Sequence, residues 1–214
     1  MPRTKAVAAV AMACVMAGCS VPEGERPAEP TPTTTTPASP APSTTAPSTT
    51  QGINQDPAAL ADSVVEHAGA AEINPVLLMA VLYNESYKPH DPELERAWQR
   101  IDPDAAFGVA NMHRAAFDDT KQGRPFADRQ WEELPDDPDL AIQAAAWYLH
   151  DLAAQLPVRE RPPFSHDDLL ALGYNAGPGA MRAVANGSAP GTQAQSYVDK
   201  LRGNWAKAED AVGR

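Results

Sequence analysis

The sequence predicts an all-α domain preceded by a disordered Pro/Thr/Ser-rich linker, on three observations. Asp-Pro or Asn-Pro stands at Asp56-Pro57, Asn74-Pro75, Asp91-Pro92 and Asp137-Pro138. An Asp or Asn side chain accepts from the free N–H groups of a first helical turn, and Pro after it has no N–H to lose there. The second observation is Val76–Tyr83, apolar or Tyr at every position, a pattern that only a helix enclosed by others needs. The third is that no period-two alternation is long enough to read as a strand.

Taken in order, residues 1–18 carry Arg3 and Lys5 and then a short apolar run to Gly18, ahead of Cys19. That is the pattern of a basic n-region and an apolar h-region, too short to span a membrane. Met16-Ala-Gly-Cys19 resembles a bacterial lipobox, in which the Cys becomes the lipidated first residue of the mature chain; the alternative is a plain secretory peptide cut nearby. Cys14 and Cys19 are the two Cys of the chain, so the mature domain has no disulfide and no thiol nucleophile. Residues 21–50 hold 8 Pro and 12 Ser/Thr. With little to bury, such a segment cannot offset the entropy of ordering. In polyproline II, at about 3.1 Å per residue, it reaches on the order of 90 Å, a tether behind an anchor. The expected organisation is a signal peptide over 1–18, an anchored linker over 19–52 and a helical domain over 53–214.

Within the domain, Asp56-Pro57 opens a first helix to about Ala70, with Leu60, Val64 and His67 near one face. The apolar helix from Asn74 follows, then a short helix from Asp91-Pro92 through Ile101. His113–Lys121 is another short helix, stopped by Gly123 and Pro125. Asp137-Pro138 starts a long helix with Leu140, Ala144, Ala145, Tyr148, Leu149 and Leu152 on one stripe, ended before Pro157. Ser165 caps a helix to Tyr174, Gly177-Pro178-Gly179 breaks it, and the next ends at Asn186-Gly187. The last helix, about Thr192–Val212, carries Tyr197, Val198, Leu201, Trp205 and Ala208 on its inner face. The formal charge of −11 becomes about −13 once Arg3 and Lys5 leave with the leader. That excludes nucleic acid, which wants a basic face, and attraction to anionic head groups.

Glu85 ends the apolar helix, at helical spacing from Leu78, Val81 and Leu82. An apolar face and the unpaired carbonyls of a last turn both push a carboxyl pKa upward, as a general acid requires. The bland alternative is a Glu at a fraying helix end with its head in water. Glu85-Ser86, the block Asp102–Met112, the helix with Tyr148-Leu149 and above all Tyr174-Asn-Ala-Gly-Pro-Gly179 together resemble the lytic transglycosylases, the goose-type-lysozyme-like family that cleaves peptidoglycan. The resemblance covers about Asn74 to Trp205. It implies a lysozyme-like fold and cleavage between N-acetylmuramic acid and N-acetylglucosamine. Glu85 would act first as acid and then as base, closing a 1,6-anhydro ring without water. Ser86, Asn111, Met112, Tyr174, Asn175, Gly177 and Tyr197 are expected to line the glycan site. Asn111 stands where the family has Gln, one methylene longer, and keeps an amide donor and acceptor.

Asp102 departs further, since the family has Ser there. Six positions before Gly108, it matches a carboxylate of the goose-type lysozymes, so it is a candidate second carboxylate; the alternative is one more Asp-Pro turn. Trp131, in the polar loop 128–136, is a candidate sugar platform, while Trp98, Trp147 and Trp205 are expected in the core. His67, His90, His113, His150 and His166 show no metal-ligand spacing. No cofactor or metal is expected. Three readings stand: a lipid-anchored lytic transglycosylase, a muramidase using Asp102 to position water, and a non-catalytic wall-binding domain. The expected partners are glycan strands and, through Cys19, the outer face of the cytoplasmic membrane, with the protein a monomer.

Overall fold

All four Asp/Asn-Pro pairs start a helix, and in each the side chain accepts a first-turn amide. The computed structural model describes residues 56–157 and 163–213; the expected leader, Cys19, the linker and residues 53–55 lie outside the described residues. Asp56 accepts from the Ala58 amide and opens a 3₁₀ turn, Pro57–Leu60, that runs into α1, Ala61–Ala70. Asn74 accepts from the Val76 amide ahead of α2, Pro75–Glu85. Asp91 accepts from the Glu93 and Leu94 amides ahead of α3, Pro92–Gln99.

Between α3 and the next helix the chain makes a small antiparallel hairpin, β1 (Ala106–Phe107) and β2 (Met112–His113), pairing Ala106 with His113 and Phe107 with Met112. Two-residue strands are too short to leave an alternation in sequence, so the sequence reading has no strand here. α4 is Arg114–Thr120, and a 3₁₀ turn follows at Trp131–Glu133. Asp137 accepts from the Leu140 amide to start α5, Pro138–Ala153.

Ser165 and Asp168 form a reciprocal capping box at the head of α6, His166–Ala185. The expected break in α6 is a kink rather than a gap: Gly177 adopts φ 82, ψ 165, a region that side-chain-bearing residues rarely enter. The last helix, α7, spans Thr192–Val212 as the sequence predicts.

α2 is the hub. It packs most extensively against α7, and also against α1 and α6. Every residue from Leu77 to Glu85 is buried, which explains the run with no polar face. Full burial of Leu77, Leu78 or Leu82 stabilises by about 1.5–3 kcal/mol each. Ser63 and His67 of α1 both reach the Asp139 carboxylate, at 2.6 and 3.0 Å, and pin α1 to the start of α5. Among the described residues no helix is long and apolar enough to cross a membrane.

Two tryptophans depart from expectation. Trp131 is 0 % exposed. Its 3₁₀ turn, closed by a Gln130–Glu133 capping box, turns the indole inward, where it meets Phe107 edge-on at 5.2 Å between centroids. The indole N–H donates to the Met112 carbonyl at 2.8 Å, so Trp131 braces the hairpin from the core and offers no sugar platform. Trp98 is 52 % exposed instead of buried, because α3 turns Glu95 and Gln99 inward and leaves Leu94 and Trp98 outside.

The hairpin turn sets one sharp steric demand. Gly108 has φ +72, and a Cβ there would lie 2.8 Å from the Leu134 carbonyl oxygen. Gly108→Ala therefore combines left-handed backbone strain with a clash against rigid main chain. A loss of about 2–4 kcal/mol is expected in urea unfolding, and a loss under about 0.5 kcal/mol, the scale of a neutral surface change, would contradict this packing.

Candidate active site

A helix end carrying a carboxylate is hard to bury, because its last four carbonyls have no intrahelical donor. At the end of α2 the last helical bond reaches Leu82, and the carbonyls of Tyr83, Asn84 and Glu85 beyond it each find a side-chain donor. The Ser86 amide donates to the Leu82 carbonyl at 2.9 Å, and the Ser86 hydroxyl donates to that of Tyr83 at 2.9 Å. Lys200 of α7 donates to the Asn84 carbonyl at 2.6 Å, and the Asn111 side chain to that of Glu85 at 3.0 Å. The helix end is thereby sealed, and Glu85 beside it is only 8 % exposed.

The Glu85 carboxylate is held on both oxygens. The Tyr197 hydroxyl donates to Oε1 at 2.7 Å, and the Asn111 amide donates to Oε2 at 3.1 Å. Burial dominates and pushes the Glu85 pKa up; the bonds from Tyr197 and Asn111, and then the charges of Lys200 and Lys88, pull against it. Burial, and then the Glu85 charge, also drive the Tyr174 and Tyr197 phenols well above their ordinary range, so both stay protonated donors.

Each neighbour is delivered by identifiable local structure. Tyr197, Lys200 and Asn204 fall at i, i+3 and i+7 of α7, one stripe facing α2. Asn204 donates to the Asn84 side-chain oxygen at 2.8 Å, and the Asn84 amide donates to the Tyr197 carbonyl at 3.0 Å. Asn111 sits in the hairpin turn at φ 46, a left-handed conformation that Asn tolerates better than most residues. Tyr174 donates to the Ala110 carbonyl at 2.7 Å rather than to Glu85, so it fixes the residue just before Asn111. The Gly177 kink follows three residues on.

Of the residues expected to line the glycan site, Asn111 and Tyr197 meet at the Glu85 carboxylate, and Tyr174 reaches it through the hairpin. Ser86 is exposed and spends its hydroxyl on the helix end. Met112 is buried in β2 opposite Phe107 and belongs to the core. Asn175 is exposed and Gly177 half-buried at the α6 kink. Asp102 accepts from the Asp104 amide at 3.2 Å, the bond of a local turn. Asn84, Lys88, Lys200 and Asn204 went unread in the sequence. Only the helical spacing of Lys200 and Asn204 from Tyr197 could have pointed to them.

A buried carboxyl with raised proton affinity at a helix end, flanked by phenol and amide donors in an all-α domain, has the environment that a general acid needs. The transglycosylase SLT domain matches residues 62–196, well over half of the chain. The chain belongs to that family, its fold is the all-α lysozyme-like one, and the membership supports peptidoglycan as substrate and lytic transglycosylation as the general activity. The matched segment contains Glu85, Asn111 and Tyr174 and stops one residue short of Tyr197. No curated protein matches the chain.

Raised proton affinity has a measurable sign. Glu85 binds its proton more tightly folded than unfolded, so its share of stability is whole below the ordinary pKa of 4.5 and is lost as pH rises through the raised folded value. Glu85→Gln removes that loss. The variant is expected to unfold at a higher temperature than the parent at neutral pH, by an amount worth about 1.4 kcal/mol for each unit of pKa displacement. The gain should disappear below pH 4.5. Equal melting temperatures at both pH values would show that Glu85 carries no such penalty.

Proposed function

We propose that the protein cleaves the β-1,4 bond between N-acetylmuramic acid and N-acetylglucosamine in peptidoglycan, with Glu85 as the group that moves the proton. In the first stage the Glu85 carboxylic acid gives its proton to the glycosidic oxygen, and the bond from that oxygen to C1 of the muramic residue breaks. In the second, the 6-hydroxyl of the same sugar bonds to C1 and its proton passes to the Glu85 carboxylate. A 1,6-anhydro ring results, no water is consumed, and Glu85 ends protonated as it began. The observation that carries this reading is the burial of the Glu85 carboxyl between the Tyr197 hydroxyl and the Asn111 amide. Burial favours the acid form needed first, and the two donors favour the carboxylate needed second.

Asp102 gives the muramidase reading little support. Its Oδ1 accepts from the Asp104 amide two residues on, as a local turn residue does, and the groups bonded to the Glu85 carboxylate are Tyr197 and Asn111. A non-catalytic wall-binding domain has no use for a buried, unneutralised acid, which costs stability to maintain. Cys19, with its small preceding residues, supports lipid anchoring at the outer face of the cytoplasmic membrane.

Glu85→Gln keeps the shape of the site and removes the proton. Turnover of purified glycan strands should fall by at least about 10²–10⁴, the usual worth of a general acid, while the folded domain still binds them. Activity within a factor of about three of the parent, outside that range, would remove Glu85 from the reaction. Mass spectrometry of the released muropeptides should show anhydro ends, lighter by one water, from the parent and from Asp102→Ser alike. Reducing ends from the parent that give way to anhydro ends in Asp102→Ser would move the assignment to the muramidase.

Cys19→Ala tests the anchor. A single acyl chain binds membranes marginally, whereas a multiply acylated Cys holds firmly. The variant should appear in the soluble exported fraction or remain as uncleaved precursor. Correctly cleaved protein that still sediments with membranes would be incompatible with anchoring at Cys19.

A further inference from the structure

The hairpin that delivers Asn111 is held by side chains from elsewhere at every second residue. Lys88 donates to the Ala106 carbonyl at 3.0 Å, Tyr174 to that of Ala110 at 2.7 Å and Trp131 to that of Met112 at 2.8 Å. At the fourth position the polarity reverses: the Gly108 amide donates to Glu95 Oε2 at 2.8 Å. A two-stranded hairpin of this size is not stable alone, so its shape comes from these four holds. Gly108 begins the turn, and its carbonyl accepts from the Asn111 amide at 2.9 Å. Fixing Gly108 therefore fixes the turn that ends at Asn111.

Glu95 is unusual for its place. It is buried on the inner face of α3, and its second oxygen, Oε1, meets His90 Nδ1 at 2.9 Å. To put Glu95 inside, α3 gives up the burial of Leu94 and Trp98, while Ile101 beyond its end is 71 % exposed. Packing alone favours the opposite rotation, with the apolar stripe inward and the carboxyl in water. The rotation observed makes sense through what Glu95 holds.

We propose that Glu95 is a positioning residue for Glu85: by accepting from the Gly108 amide it fixes the turn that brings the Asn111 amide to the Glu85 carboxylate. The inference rests on the reading of Glu85 as the proton donor. The bonds of Glu95 go to His90 and the Gly108 amide and not to Glu85. His90 holds the carboxylate in the rotamer that reaches Gly108. Loss of Glu95 then acts on chemistry in the way that loss of the Asn111 amide does. The Asn111 bond holds down the proton affinity of Glu85. Without it Glu85 stays protonated to higher pH, and the alkaline limb of the rate profile moves upward.

The test is a double-mutant cycle between Glu95→Ala and Asn111→Ala on soluble glycan strands, with kcat, KM and the pH profile of kcat measured for each. In the parent background Glu95→Ala should lower kcat by about tenfold or more, leave KM within about threefold and move the alkaline limb upward. In the Asn111→Ala background it should change kcat by less than about threefold and leave the limb in place, since the interaction it serves is gone. Glu95→Gln, whose amide oxygen can still accept from Gly108, should recover most of the loss. Equal losses in both backgrounds, a loss confined to KM, or unchanged kcat would overturn the proposal. If Glu95→Ala does not fold by circular dichroism, Glu95→Asp, one methylene short, is read in the same way. Failure of both to fold assigns Glu95 to the fold alone and also overturns it. An inactive Glu85→Gln with a silent Glu95→Ala refutes this inference only, whereas an active Glu85→Gln refutes the reading beneath it.

Discussion

The structure depends on burying the last turn of α2. An apolar helix can be enclosed along its sides at no polar cost, but its end presents carbonyls that water no longer reaches, here with a carboxylate among them. Leaving any one buried and unpaired costs about 1–3 kcal/mol, more for a charged group. The surrounding elements answer that demand in turn. Ser86 folds back on its own helix, the hairpin contributes Asn111, and α7 contributes Lys200 and Tyr197. Asn111 does both, since its amide donates to the Glu85 carbonyl at the helix end and to the Glu85 carboxylate. At that one side chain the closing of the helix and the holding of the carboxyl coincide.

Proton affinity at Glu85 is a balance and not a single effect. Desolvation is the largest influence and favours the neutral acid, while the phenol and amide bonds and two lysines favour the anion. A carboxyl that must give up and then recover a proton works best when neither form is overwhelmingly preferred. The net charge of the chain adds nothing specific to this balance. The nearby cations Lys88 and Lys200 act through position, each anchored on a backbone carbonyl at 3.0 and 2.6 Å.

Much of the fold was legible because it is written in local chemistry. Each Asp/Asn-Pro pair marks a helix start since cap and ring act within one turn, and the apolar run of α2 reports its enclosure directly. Glu85 was readable by type and spacing, and Asn111 and Tyr174 through the family resemblance. The connections were not. Nothing local says that Tyr174 holds the Ala110 carbonyl instead of Glu85, or that Trp131 turns inward from a polar loop, because those outcomes are decided by residues dozens of positions away. The hairpin was invisible for a related reason: its two-residue strands are set by outside side chains and carry no period of their own. α3 misled in the opposite direction. Trp98 is expected in the core, and the inner face is the one with Glu95 and Gln99.

The bond between Tyr197 and Glu85 joins positions 112 residues apart. Closing so long a loop carries an entropy cost that rises with the logarithm of its length, and contacts of high sequence separation tend to slow folding. Glu85 has neither its phenol partner nor the lysine on its helix end until the C-terminal helix docks. The set of contacts around Glu85 is thus completed by α7. A polypeptide cut short before residue 192, where α7 begins, holds Glu85 without the contacts that α7 brings and lays bare the apolar helix that packs most extensively against α7.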